Sequence, residues 1–190
     1  LLTQRDPALV KPFIRAALEL QREGVKAITG ACGFMALFQR EVSAACRIPV
    51  FLSSLLQVPF ILQILPRGRR VGVITADSRA LTPKHFDAVG ITSDMALAIG
   101  GMEGKTEFRE SILQERGTLD SDLIREEVVS VARQLIRDYP DIGAILLECS
   151  DLPPYASAVQ AETRLPVFDF ITMIHYVHLS LAQKPYNGLI

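Results

Sequence analysis

Cysteine is scarce in this sequence. Cys32, Cys46 and Cys149 are the only three, separated by 14 and 103 positions. Those gaps exclude a C-x-x-C redox pair and match no zinc-ligand spacing, so no metal site is expected. An odd, small count fits a reducing, cytoplasmic setting. Excess charge of one sign is also lacking: 20 basic and 21 acidic residues leave a net charge of -1, without a long run of either. That balance excludes the electrostatic footprint of a nucleic-acid or anionic-membrane binder. The short RGRR at 67–70 reads as a solvated turn. No signal peptide is visible in a sequence that starts at Leu1.

Charge is missing altogether from Ile48 to Pro66, IPVFLSSLLQVPFILQILP, a run of nineteen residues. Length alone would admit a membrane span. Pro59, two serines, two glutamines and a β-branched start argue instead for a strand followed by a helix apolar on most of its circumference. Such a helix belongs in the core or under a partner subunit, so a homo-oligomer is among the expectations and a membrane partner is not.

What is present is alternation. DPALVKPFIRAALELQREG has an Asp cap at Asp6, Pro at the first helical position, apolar residues at three- and four-residue spacing, and a stop at Gly24. A strand VKAITG follows, then helix 33–45, strand 48–53 and helix 55–65. The second half reads as strand RRVGVITAD, helix 81–89, a strand at 94–99, helices 106–116 and 120–138, strand IGAILLEC, a helix opening at PPYASAVQAE, strand LPVFDF and a last helix near 172–183. Short β-rich runs alternating with helices predict an α/β fold with parallel sheets covered on both faces. In such sheets sites form at the carboxyl ends of strands.

Two of these segments repeat. VKAITGACGF lies over IGAILLECSD, so that Val25 meets Ile142, Ile28 meets Ile145 and Cys32 meets Cys149. Downstream, each Pro-Val-Phe starts seventeen residues after its cysteine, at Pro49 and Pro166. One lone cysteine at a strand end would be read as packing, but a second at the same spacing marks an internal duplication. Two such units facing each other place a thiol from each at one cleft. Each thiol would sit by a helix amino terminus, which favours thiolate and binds an anionic substrate. Cys46 has no counterpart and is read as a packing residue.

The strand-Cys-helix pairs TGACGF and LECSDLPPY, with their Pro-Val strands, resemble the aspartate/glutamate racemase superfamily. This superfamily also holds hydantoin racemases, maleate isomerases and arylmalonate decarboxylases. The resemblance covers nearly the whole chain. It implies two pseudo-symmetric lobes, each a parallel sheet flanked by helices, with the active site between them. The lobes are expected at 1–67 plus 171–190 and at 68–170. It further implies a cofactor-independent racemase or epimerase of a small carboxylate, with Cys32 and Cys149 as the acid and base on opposite faces of one carbon. Departures from the family pattern are local. Cys32-Gly33-Phe34 stands where amino-acid racemases usually have Cys-Asn-Thr, and Cys149-Ser150-Asp151 stands for Cys-Thr and a polar or acidic residue. Gly33, Phe34 and Ser150 are therefore expected to contact substrate.

The other candidates have ordinary uses beside the functional one. Asp151 would orient or deprotonate the Cys149 thiol, or cap the next helix. Thr75 matches a family position that touches substrate, or is a turn threonine. Ser53 and Ser54 line the cleft or cap a helix. His175 and His178 are packed or surface residues rather than proton relays. Two further functions stay open: a decarboxylase or maleate-type isomerase using one cysteine, and a non-catalytic binding or redox-sensing protein. The repeat also carries an expectation about the start of the chain. Val73 precedes Cys149 by 76 residues while only 31 precede Cys32, so about 45 residues bearing a strand are expected to be missing from the first unit.

Overall fold

The computed structural model describes residues 7–185 and 188. Asp6, the expected cap of the first helix, lies outside them. Helix α1 (Pro7–Arg22) carries its apolar stripe against the first of three buried clusters, and Gly24 turns the chain with a φ of +91° that side chains disfavour. Strand β1 (Ile28–Thr29) leads through Cys32 into a 3₁₀ turn, Gly33–Phe38, and helix α2 (Gln39–Ala45). The Phe38 ring stacks on Phe13 of α1 at 4.8 Å, tying the two helices over β1. Strand β2 (Val50–Phe51) pairs parallel with β1. A further 3₁₀ turn, Ser54–Gln57, runs into α3 (Val58–Ile64). The uncharged run thus folds as strand, turn and short helix, and among the described residues no helix is long and apolar enough to cross a membrane.

The second sheet is larger. It is built from β3 (Arg70–Thr75), β4 (Leu97–Gly101), β5 (Ile142–Leu147) and β6 (Val167–Phe168), all parallel, in the order β4-β3-β5-β6. Between them run α4 (Pro83–Ala88), the short α5 (Thr106–Phe108) with its following π turn, α6 (Ser121–Asp138) and α7 (Ala156–Thr163). Helix α8 (Phe170–Leu181) follows β6. Side chains alternate across the sheet with period two. Val71 and Val73 of β3 and Ala144 and Leu146 of β5 face Val58 and Ile61 of α3. Ile74, Ile145 and Leu147 face Val128, Ala132 and Leu135 of α6. Helix α3, expected with the first lobe, therefore covers one face of the second sheet. Its Val58 and Ile61 are buried while Phe60 and Ile64 remain exposed.

The duplication is visible bond by bond. Cys149 follows Cys32 by 117 residues, and the pairings Ile28 with Val50 and Ile145 with Val167 are related by the same step. The Ile28 N–H donates to the Pro49 carbonyl at 2.9 Å, and the Ile145 N–H donates to that of Pro166 at 2.9 Å. The repeat differs on the other edge: β5 continues into β3, whereas β1 pairs only with β2 among the described residues.

Candidate active site

The matched strands end in matched turns. The Cys32 carbonyl accepts the Met35 N–H at 3.0 Å, and the Cys149 carbonyl accepts the Leu152 N–H at 3.1 Å. The Phe34 N–H donates to the Cys32 sulfur and the Asp151 N–H to the Cys149 sulfur, again one repeat apart. Between the turns the lobes are joined. The Ser150 hydroxyl donates to the Ala31 carbonyl at 2.8 Å, and the Ser54 hydroxyl reaches the carbonyls of Leu147 and Glu148 at 3.3 and 3.2 Å. Cys32 and Cys149, both free thiols, therefore stand on either side of one seam. A hollow of about 530 Å³ opens beside it, lined by Gly30, Ser150, Pro153, Pro154, Asp169 and Phe170 among others.

The two thiols are not equivalent. Cys32 is half-buried, and Cys149 is 7% exposed. Burial raises the Cys32 thiol, with the Phe34 N–H opposing and the charges of Glu148 and Asp151 adding. Burial raises Cys149 much further, opposed by the Asp151 N–H and reinforced by Asp151 and Glu148. The Cys149 S–H donates to Asp151 Oδ2 at 3.4 Å. The expectation that helix amino termini favour thiolates is therefore corrected: Cys32 opens onto a short 3₁₀ segment and Cys149 onto a turn ahead of one, and desolvation outweighs their N–H groups.

The remaining candidates divide. Asp151 is exposed and faces Cys149; the turn Pro153–Tyr155 starts at Leu152 without a side-chain cap. Gly33 is buried in the seam, and the Phe34 ring turns away from it, edge-on to His85 at 5.4 Å. Ser53 is fully buried and its hydroxyl accepts the Leu55 N–H at 3.3 Å, the capping use. Thr75 is buried, and its hydroxyl donates to Glu148 Oε2 at 2.8 Å. Cys46 is half-buried against the α1 cluster, and His175 and His178 lie exposed on α8.

Glu148 is the site residue that sequence reasoning passed over. Burial pushes its carboxyl up to about 7, with the Thr75 hydroxyl opposing. Its signal was present: an acid closing the apolar strand IGAILL, on the same face as Ala144 and Leu146 and hence turned toward the first lobe.

A pseudo-symmetric pair of parallel sheets, with a thiol at the equivalent strand end of each, defines a class of two-lobed α/β enzymes. The chain belongs to the Asp/Glu/hydantoin racemase family, whose sequence profile matches residues 2–174. It is 36% identical over 184 residues to dimethylsulfoniopropionate lyase 3 of Emiliania huxleyi (strain CCMP1516), covering 93% of this chain and 48% of that protein. It is 33% identical over 189 residues to the dimethylsulfoniopropionate lyase of Durusdinium sp. clade D, covering 97% of this chain and 62% of that one. The chain thus spans about half to three-fifths of the length of these two relatives. Among solved structures, arylmalonate decarboxylase shares the fold at a TM-score of 0.64 and 18% identity, over 95% of this chain and 78% of its own. Glutamate racemase from Francisella tularensis subsp. tularensis SCHU S4, in complex with D-glutamate, does so at 0.53 and 19%, over 98% and 70%.

Proposed function

We propose that the chain carries out a β-elimination of the dimethylsulfoniopropionate-lyase type. Its substrate would be a small carboxylate whose β-carbon bears a cationic sulfur. The observation that carries this reading is the charge at the sulfur pair: the side-chain charges acting on both Cys32 and Cys149 are those of Glu148 and Asp151, both acidic. A dicarboxylate such as aspartate or glutamate would bring more negative charge to that place, whereas a sulfonium brings positive charge. The relatives' names support the same substrate class. The inequality of the thiols also suits a reaction that needs one base, while racemisation asks two groups to exchange roles. The lyase reading therefore takes the place of the racemase as the leading one.

Cys32, the more exposed and less strongly raised of the two thiols, is the base in this scheme. The Phe34 N–H donates to its sulfur and favours the thiolate. A bound sulfonium offsets the negative charge that helps to hold the thiol protonated. The thiolate then takes the proton from the carbon beside the substrate carboxylate, and that C–H electron pair becomes the C=C bond. The C–S bond breaks with its pair on sulfur, releasing neutral dimethyl sulfide and leaving acrylate. The abstracted proton sits on Cys32 and leaves to solvent. Cys149, across the seam, stays protonated and turns its S–H from Asp151 to the substrate carboxylate as negative charge builds there.

Headspace gas chromatography of the purified chain with dimethylsulfoniopropionate tests the proposal. Dimethyl sulfide and acrylate should appear in equal amounts. A second reading rests on the matched turns: a two-thiol racemase. Inversion of a chiral carboxylate in deuterated water, with hydrogen exchange at carbon and no sulfide released, would establish that reading and end the first.

A further inference from the structure

The alternation that turns Cys149 to one face of β5 turns Glu148 to the other, against the first lobe. There one carboxylate oxygen, Oε2, accepts the Thr75 hydroxyl at 2.8 Å, while the other, Oε1, is buried without any hydrogen-bond partner. The space around Oε1 is what a side chain at position 33 would need: a Cβ built on Gly33 falls 1.8 Å from Oε1 and 2.2 Å from Cδ. The carboxyl therefore lies against Gly33, the residue after Cys32, and belongs to the residue before Cys149. A buried carboxylate oxygen with no donor is costly, and natural structures rarely leave one without a role.

We propose that Glu148 is a positioning residue for the thiol pair: fixed by Thr75 and admitted by Gly33, its carboxyl governs through its charge how readily Cys32 and Cys149 release their protons. As a carboxylate it raises both thiols; as a neutral acid it does not, and its Oε1 hydroxyl is a donor on the Cys32 side of the seam. The change of form falls near neutrality because burial holds the group there. Asp151 is the other charged side chain acting on both sulfurs: its charge outweighs that of Glu148 at Cys149, and that of Glu148 outweighs it at Cys32, the thiol on which the test is read. Ser54 binds the Glu148 backbone carbonyl and leaves the carboxyl untouched. The inference rests on Cys32 and Cys149 being working thiols, and it sharpens how they are tuned.

Iodoacetamide alkylation of Cys32, followed by mass spectrometry from about pH 6 to about pH 9, tests it without turnover. A failed lyase assay therefore leaves the labelling result intact. In Glu148→Gln, which keeps the shape and removes the charge, Cys32 should be alkylated ~3- to 10-fold faster than in the parent at about pH 8. Thr75→Val should move the rate in the same direction by less, because the carboxyl stays neutral to higher pH without its donor. A Glu148→Gln profile that overlays the parent's, or lies below it, overturns the proposal. If that variant loses its cooperative melt, the Thr75→Val profile decides by the same rule.

Discussion

Removing the Glu148 charge should change how stability depends on pH, and by an amount the structure sets. In the unfolded chain this carboxyl titrates near 4.5, and in the fold near 7. Below the lower value both states hold the proton and Glu148 makes no difference to the slope. As pH rises from about 4.5 to about 7 the unfolded chain releases its proton while the native state keeps it. The native state then binds more protons, and stability falls. Above about 7 both are ionised and the loss levels off. At about 1.4 kcal/mol per tenfold, the displacement amounts to about 3 kcal/mol. Glu148→Gln carries none of this dependence, although its amide leaves a buried N–H₂ without an acceptor, a constant penalty of about 1–3 kcal/mol. Urea unfolding of parent and variant at about pH 4.5, 6 and 8 separates the two effects. The stability difference should shift in the variant's favour by about 3 kcal/mol across the range. Parallel curves, with a difference that stays the same at every pH, would refute the assignment of Glu148 as a buried carboxyl held near neutrality.

Three other outcomes are expected. Cys32→Ser should lower dimethyl sulfide release by ~10³-fold or more, since a hydroxyl cannot serve as the base, while Cys46→Ser should leave the rate unchanged. Asp151→Asn should lower kcat by ~10- to 100-fold, as read in headspace release, because the Cys149 S–H loses the carboxylate that orients it. Gly33→Ala should destabilise the chain by about 1–3 kcal/mol in urea unfolding, and adding Glu148→Ala should recover only part of that loss, because the new Cβ meets the Glu148 backbone carbonyl at 2.7 Å as well as the carboxyl.

Much of this architecture is written in short local patterns. Cys32 and Cys149 were found because duplication preserves spacing, and spacing survives in the sequence even where side chains diverge. The same repeat sets the register of β1 with β2 and of β5 with β6. Element ends were less legible. The runs VKAITG and LPVFDF each yield only two ladder residues, since pairing depends on a neighbour that the local sequence does not contain. Helix 33–45 opens as a 3₁₀ turn because Cys32 offers no side-chain cap. The expected helix 106–116 splits into a helical turn and a π turn, where the Ser111 hydroxyl bonds back to the Glu107 carbonyl. Ser53 and Ser54 look interchangeable in the sequence, yet one caps its own turn and the other crosses to the far lobe. Glu148 was hidden by its neighbours: beside a cysteine at a strand end it reads as the exit of a strand, and its burial depends on Gly33, 115 residues earlier.

The hydroxyl bridges from Ser150 to Ala31 and from Ser54 to the end of β5 join the halves of the molecule beside the sulfurs rather than at its rim. A rigid-body swing displaces each atom in proportion to its distance from the pivot. With the pivot at this seam, a few degrees of rocking would widen the outer mouth by ångströms while the gap between the sulfurs stays nearly constant. Rocking of that kind would open the rim without altering the spacing of Cys32 and Cys149 across the seam. Cutting either bridge would loosen the chemistry itself, whereas lengthening surface loops would alter only the traffic in and out.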